Sequence, residues 1–148
     1  MDDLVKVSVG HLDGHIGEGE ICYGSSGALP RAKLAAEIIR RRFEIVGLAL
    51  RDVRFDFIGV DSLFGAAGRY VDEKVARPDI YRDVRLRVSG RAGTENEARV
   101  IGREVEALYT NGPAGGGSAR SCTRKILSIA SILVPDSDVI EVVNCFDL

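Results

Sequence analysis

Residues 4–10 alternate apolar and polar side chains, with Val5, Val7 and Val9 set against Lys6 and Ser8, the period-2 signature of a half-buried strand. Asp13-Gly14 is a pair favoured in type I′ hairpin turns, where both central positions take positive φ, and alternation resumes over residues 16–23. The pattern therefore predicts an opening hairpin. Gly24-Ser25-Ser26-Gly27 interrupts it, and Pro30 then stands at a tolerated first-turn position. Beyond it Ala32, Ala35, Ala36, Ile39, Phe43 and Val46 recur at helical steps as far as Gly47. Val53, Phe55, Phe57 and Val60 mark a strand closed by Gly59 and the turn-prone Asp61-Ser62. Residues 61–80 read as a long, partly helical connection, because Gly65 and Gly68 weaken any helix and Arg77-Pro78 stops it.

Val84, Leu86 and Val88 alternate with Arg85 and Arg87, so a further strand carries one basic face. Thr94-Glu95-Asn96-Glu97 fits a capping box ahead of an apolar stripe of Ala98, Ile101, Val105 and Leu108, which ends before Asn111-Gly112-Pro113. Residues 123–134 suit either a helix by spacing or a strand by β-branching, and the strand is preferred; residues 139–143 read as a short β run closing the sheet. Strand, helix, strand thus appears twice, over 16–23, 30–47 and 53–60 and again over 84–90, 94–109 and 123–134. The expected fold is α+β in a single domain of residues 1–148. It has one mixed, partly antiparallel sheet with two long helices on one face, built from two split βαβ halves of ferredoxin-like character.

The balance of charge narrows the partners. Twenty Lys and Arg against 22 Asp and Glu give a formal net charge of -2, which is not the footprint of a nucleic-acid binder. No apolar run approaches the length of a membrane span, and the acidic start Met1-Asp2-Asp3 is unlike a signal peptide, so a cytoplasmic protein is expected. Cys22, Cys122 and Cys145 are odd in number and widely spaced, reading as reduced thiols; apolar neighbours suggest that Cys122 and Cys145 are inert core groups.

Three groups of residues could carry chemistry. Gly112, Gly115, Gly116 and Gly117, followed by Arg120, Arg124 and Lys125, could converge backbone amides and cations on a phosphate or carboxylate, though a flexible connection is an equal reading. Arg31, at a helix N-terminus after a glycine turn, is placed to meet the same kind of anion, whereas Arg40, Arg41 and Arg42 fit a solvated helix face. Glu18 and Glu20 share one strand face, which suits acid–base work but occurs more often on an ordinary solvated face, and Gly17 and Gly19 beside them admit a close approach by another backbone or a ligand. His11, Asp13 and His15 fit an exposed turn better than a metal site. No nucleophile–base set or cofactor fingerprint can be read, and the cofactor stays unknown.

Three stretches resemble the acyclic terpene utilisation family, named for a protein of bacterial citronellol and geraniol breakdown. They are Gly17-Glu18-Gly19-Glu20-Ile21-Cys22-Tyr23-Gly24 with Ala28-Leu29-Pro30-Arg31-Ala32; Phe57-Ile58-Gly59-Val60-Asp61-Ser62-Leu63; and Glu104-Val105-Glu106-Ala107-Leu108-Tyr109-Thr110-Asn111-Gly112-Pro113-Ala114-Gly115-Gly116-Gly117. The resemblance implies the carboxy-terminal third of the family's long domain, as a natural subunit or an excised domain. It also implies a larger α/β region as partner and a hydratase- or lyase-like role on acyl-CoA thioesters; the unpaired edges of the sheet admit further copies of the chain, so an oligomer is expected. Cys22 stands where a serine is expected and Pro30 where alanine is common. In that setting Glu18 and Glu20 are the catalytic candidates, and Arg31, Asp61, Ser62, Asn111, Gly112, Gly115, Gly116 and Gly117 the ligand-binding ones. The competing expectation is a non-catalytic assembly module for the larger partner.

Overall fold

A computed structural model describes residues 3–60, 62, 83–140 and 142–145. Four strands, β1 (Leu4–Gly24), β2 (Arg51–Ile58), β3 (Asp83–Ala92) and β4 (Gly116–Pro135), and two helices, α1 (Ala28–Ile45) and α2 (Glu95–Asn111), follow one another as βαββαβ. The sheet order is β2-β3-β1-β4, so the fold is α+β with the topology of two interleaved split βαβ units. β1 and β2 run in the same direction, but β3 lies between them and is antiparallel to both. The mixed sheet expected from the sequence is thus antiparallel in every described pairing, since each parallel relation is separated by an intervening strand.

The chain divides into two compact units. One holds residues 14–126 with both helices; the other holds residues 1–13 and 127–148. In the larger unit, β3 buries Val84, Leu86 and Val88 while Arg85, Arg87, Ser89 and Arg91 take the opposite face. Ile21 and Tyr23 of β1 join those valines and Leu86 beneath Ala32, Ala35, Ala36 and Ile39 of α1 and Ile101, Val105 and Leu108 of α2. Each fully buried large apolar side chain contributes about 1.5–3 kcal/mol relative to exposure, so this one face carries the stability of the unit. Helix α2 starts where its capping box directs: the Thr94 hydroxyl accepts from Glu97 N at 3.2 Å, and Glu97 Oε2 accepts from Thr94 N at 3.0 Å. Helix α1 begins two residues before Pro30, behind Gly27 at φ 74.

In the smaller unit the early part of β1 and the late part of β4 form a ribbon, in which Asp136 N donates to Asp3 O at 2.9 Å and Ser128 Oγ to Asp13 Oδ2 at 2.9 Å. The expected hairpin at Asp13-Gly14 does not form, because β1 runs unbroken from Leu4 to Gly24. Gly14 keeps a positive φ of 87, but inside the strand; a Cβ there would stand 2.6 Å from the Ala92 carbonyl oxygen, so close approach of β3 is what requires glycine. Residues 139, 140 and 142–145 form no strand, correcting the closing β run: β-prone residues without a paired neighbour stay irregular. The expected connection over 61–80 lies outside the described residues except for Ser62, a turn residue.

Candidate functional site

Alternation along β1 sends Gly17 and Gly19 to one face and Glu18 and Glu20 to the other. What approaches the glycines is helix α2. A Cβ on Gly17 would lie 2.0 Å from Ala98 O, one on Gly19 would lie 2.7 Å from Val105 Cβ, and one on Gly102 would lie 2.4 Å from Ser121 Cβ. Of the two neighbours the sequence left open, it is protein that fills the space: helix backbone at Gly17, and at Gly19 the Val105 side chain with Gly102 Cα behind it. The carboxylates face outward, onto the side of the sheet that carries the β3 arginines.

Strand register arranges that outer face in rows. Arg54, Ser89 and Glu18 stand side by side, then Asp56, Arg87 and Glu20, then Ile58, Arg85 and Cys22. Both carboxylates of the middle row are ion-paired. Asp56, only 5% exposed, accepts from Arg87 Nη2 at 2.9 Å and Nε at 3.1 Å through Oδ2, and from Arg54 Nη2 at 3.2 Å through Oδ1. Glu20 Oε2 lies 3.1 Å from Arg120 Nε and 3.5 Å from Arg85 Nη1. Glu18 is held differently: its Oε1 accepts from the thiol of Cys122 at 3.9 Å, a weak bond that leaves the carboxylate lightly engaged. Arg85 Nε donates to Cys22 Sγ at 3.4 Å. That contact, with the charge of Glu20 behind it, holds the Arg85 guanidinium above its ordinary value. The Asp56 hydrogen bonds do the same for Arg87, so both remain cations at any working pH.

Two shallow grooves meet at Glu18. One, of about 290 Å³, runs past Asp56, Arg87 and Arg124; the other, of about 230 Å³, runs past Glu20, Arg85, Arg120 and Cys122. Together their walls carry six arginines (54, 85, 87, 91, 120 and 124) against four carboxylates (18, 20, 52 and 56), an excess of two positive charges on a chain of net charge -2. At Asp52, where β2 bulges with φ 53, the carboxylate comes to 3.5 Å from Arg91. Such a face can orient a proton donor or acceptor beside groups that pair with phosphate.

The glycine-rich loop is built for a different partner. Arg31 donates to four backbone carbonyls: Ala114 O at 2.6 Å, Gly24 O at 2.5 Å, Ser26 O at 2.9 Å and Gly27 O at 3.1 Å. Its guanidinium thereby ties the turn before α1 to the loop after α2. Gly115 has φ 78, and a Cβ there would stand 2.3 Å from Arg31 Nη1. Gly116 and Gly117 open β4, with Gly116 against Ile21 and Tyr23. Gly112 closes α2 by donating to Leu108 O at 3.0 Å, and Asn111 lines a separate groove with Arg42 and Glu104, which pair at 2.8 Å. The loop residues and the two glutamates therefore occupy different places, and Asp61 lies outside the described residues.

Sequence reasoning missed Asp56, Arg54, Arg120 and Cys122 as neighbours of the glutamates. A signal was present in the alternation of Phe55-Asp56-Phe57 and of Arg120, Cys122 and Arg124, which puts each polar group on one strand face. Cys122 and Cys145 are exposed rather than buried, and Cys22 is half-buried; β4 turns Cys122 to its polar side, and Cys145 has no strand to bury it. Among the described residues no three His, Cys, Asp or Glu side chains converge on a point that could hold a metal ion.

The first and last stretches that carry the family resemblance thus fall on a strand of alternating glycine and glutamate and on the helix packed against it, which ends in Asn-Gly-Pro. Comparison of the sequence decides the family, for the family model described as acyclic terpene utilisation family protein AtuA matches residues 2–145. The chain belongs to the acyclic terpene utilisation family. No curated protein and no solved structure matches it. This AtuA-family chain has, among its described residues, no helix long and apolar enough to cross a membrane.

Proposed function

We propose that this AtuA-family chain supplies the charged sheet face of a cytoplasmic acyl-CoA-processing enzyme of hydro-lyase type, completed by a larger α/β chain. One observation carries the reading: among the described residues two carboxylates on one face are held unequally, Glu20 by two arginines and Glu18 by a thiol contact. In a hydro-lyase reaction one group takes the proton beside the thioester carbonyl as hydroxide leaves the next carbon, and a lightly engaged carboxylate suits the proton transfer. Glu20 orients the site, and the arginine excess matches the phosphates of coenzyme A. An open sheet face does not exclude water, which is why a covering chain is part of the proposal.

Titration of the chain with a short acyl-CoA by calorimetry tests it, followed by Glu18→Gln in the assembled enzyme. Binding that weakens with salt and turnover lowered on the order of 10² to 10⁴ are expected for a general acid–base residue. Undiminished turnover in the Glu18 variant overturns the assignment. A second reading, a non-catalytic assembly module, is favoured by the exposed apolar ribbon; it expects no acyl-CoA binding at all.

A further inference from the structure

Among the described residues β4 is the outermost strand of the sheet, and its late portion leaves one edge without a neighbouring strand. From Leu127 to Pro135 this portion contains no charged residue. Leu127, Ile129 and Leu133 are 69%, 73% and 65% exposed, and Leu4, Val9 and Leu12 of the accompanying strand are exposed as well. Monomeric proteins guard such edges with lysines, bulges or prolines within the strand, and an isolated two-stranded ribbon is marginally stable in water. Here Pro135 stands only at the last position.

We infer that the β4 edge over residues 127–135 pairs antiparallel with the same segment of a second copy of this chain. Charge selects that occupant. A segment that meets itself across a twofold axis places every side chain opposite one of the same set, so any charge near the axis would face its like; this segment carries none. The side-chain order agrees. A twofold axis at Ser131, the middle of the nine residues, sets Ile129 opposite the partner's Leu133 and Leu133 opposite the partner's Ile129, with the serines facing each other. Backbone donors and acceptors of both edges are then satisfied, and the exposed apolar side chains of one copy cover those of the other. The inference rests on the ribbon and not on the charged face, so its outcome is separate from that of the acyl-CoA reading.

Sedimentation of the full chain is expected to give twice the 16.0 kDa chain mass, and Ser131→Lys to return it to one chain mass with unchanged circular dichroism. Ser131→Cys, under mild oxidation, is expected to form a covalent dimer, because directly opposed strand positions lie within disulfide reach. The comparison is made with the exposed Cys122 and Cys145 both replaced by serine, and in that background the parent chain and Ser8→Cys, away from the axis, should show no such product. A chain that stays single at on the order of 100 μM, or a dimer that survives Ser131→Lys, overturns the inference. So does a species formed only on adding an α/β chain.

Discussion

Replacing Gly17 by alanine probes the contact on which the layered unit depends. The added Cβ would stand 2.0 Å from Ala98 O, 2.7 Å from Ala98 C and 3.0 Å from Ala98 Cα, all backbone atoms in the first turn of α2. Ordinary contact begins at 3.4 Å, so the helix must retreat by about 1.4 Å, the difference between 3.4 and 2.0. No rotamer change relieves the clash. Retreat lifts Ile101, Val105 and Leu108 from the sheet and strains the hydrogen bond from Ala98 N to Thr94 O, now 3.1 Å. Overpacking of this kind costs about 1–3 kcal/mol, and more where backbone must move. Alanine returns about 0.5–1 kcal/mol by restricting the unfolded chain. Because backbone must move here the upper figure of about 3 kcal/mol applies, and the net loss is about 2–2.5 kcal/mol, equivalent to about 4–10 °C in Tm for a chain of this size. Urea unfolding followed by far-ultraviolet circular dichroism reads it directly, with Gly117→Ala as the control, since a Cβ there meets nothing within 4 Å. A Gly17→Ala chain within about 0.5 kcal/mol of wild type would refute the claim that β1 and α2 are in backbone contact.

Tyr23 is fully buried and its hydroxyl has no hydrogen-bond partner among the described residues, so Tyr23→Phe should leave thermal stability unchanged or raise it by about 1 kcal/mol. Burial raises the phenol above its ordinary 10.0, and the positive charge of Arg31 only partly opposes this. The unfolded chain therefore ionises first, and stability that is intact below pH 10.0 is lost progressively as pH rises from there through the native value. Stability measured against pH should lose this alkaline step in the Phe variant. Asp56→Asn removes the charge that two guanidiniums share and should cost about 1.5–3 kcal/mol by urea unfolding, and correspondingly less in high salt.

Elements whose signals are local were legible in the sequence. The capping box of Thr94 and Glu97 needs four consecutive residues and forms as read. The stripe of Ala32, Ala35, Ala36, Ile39 and Phe43 likewise faces inward as its spacing requires. Asp13-Gly14 misled because a turn preference of a few tenths of a kcal/mol competes with a ladder of strand hydrogen bonds, and only long-range pairing decides between them. The candidate site was half legible for the same reason. One strand's alternation exposes Glu18 beside Glu20, but the row that joins Glu20 to Arg87 and Asp56 comes from three strands brought together by topology. The role of Arg31 was hidden too, since its carbonyl acceptor at Ala114 is 83 residues away.

The strict division of β1 into glycine and apolar positions on one side and glutamates on the other has a consequence for how the protein can vary. Sliding this strand by one residue against β3 would drive both carboxylates beneath the helices and push Ile21 and Tyr23 into water. No intermediate arrangement exists between those two. The placement of the two carboxylates is therefore inherited from the packing of the core: a chain that folds in this register has its glutamates on the outer face. Selection can then alter the chemistry of the outer face, one residue at a time, without reopening the question of where that face points.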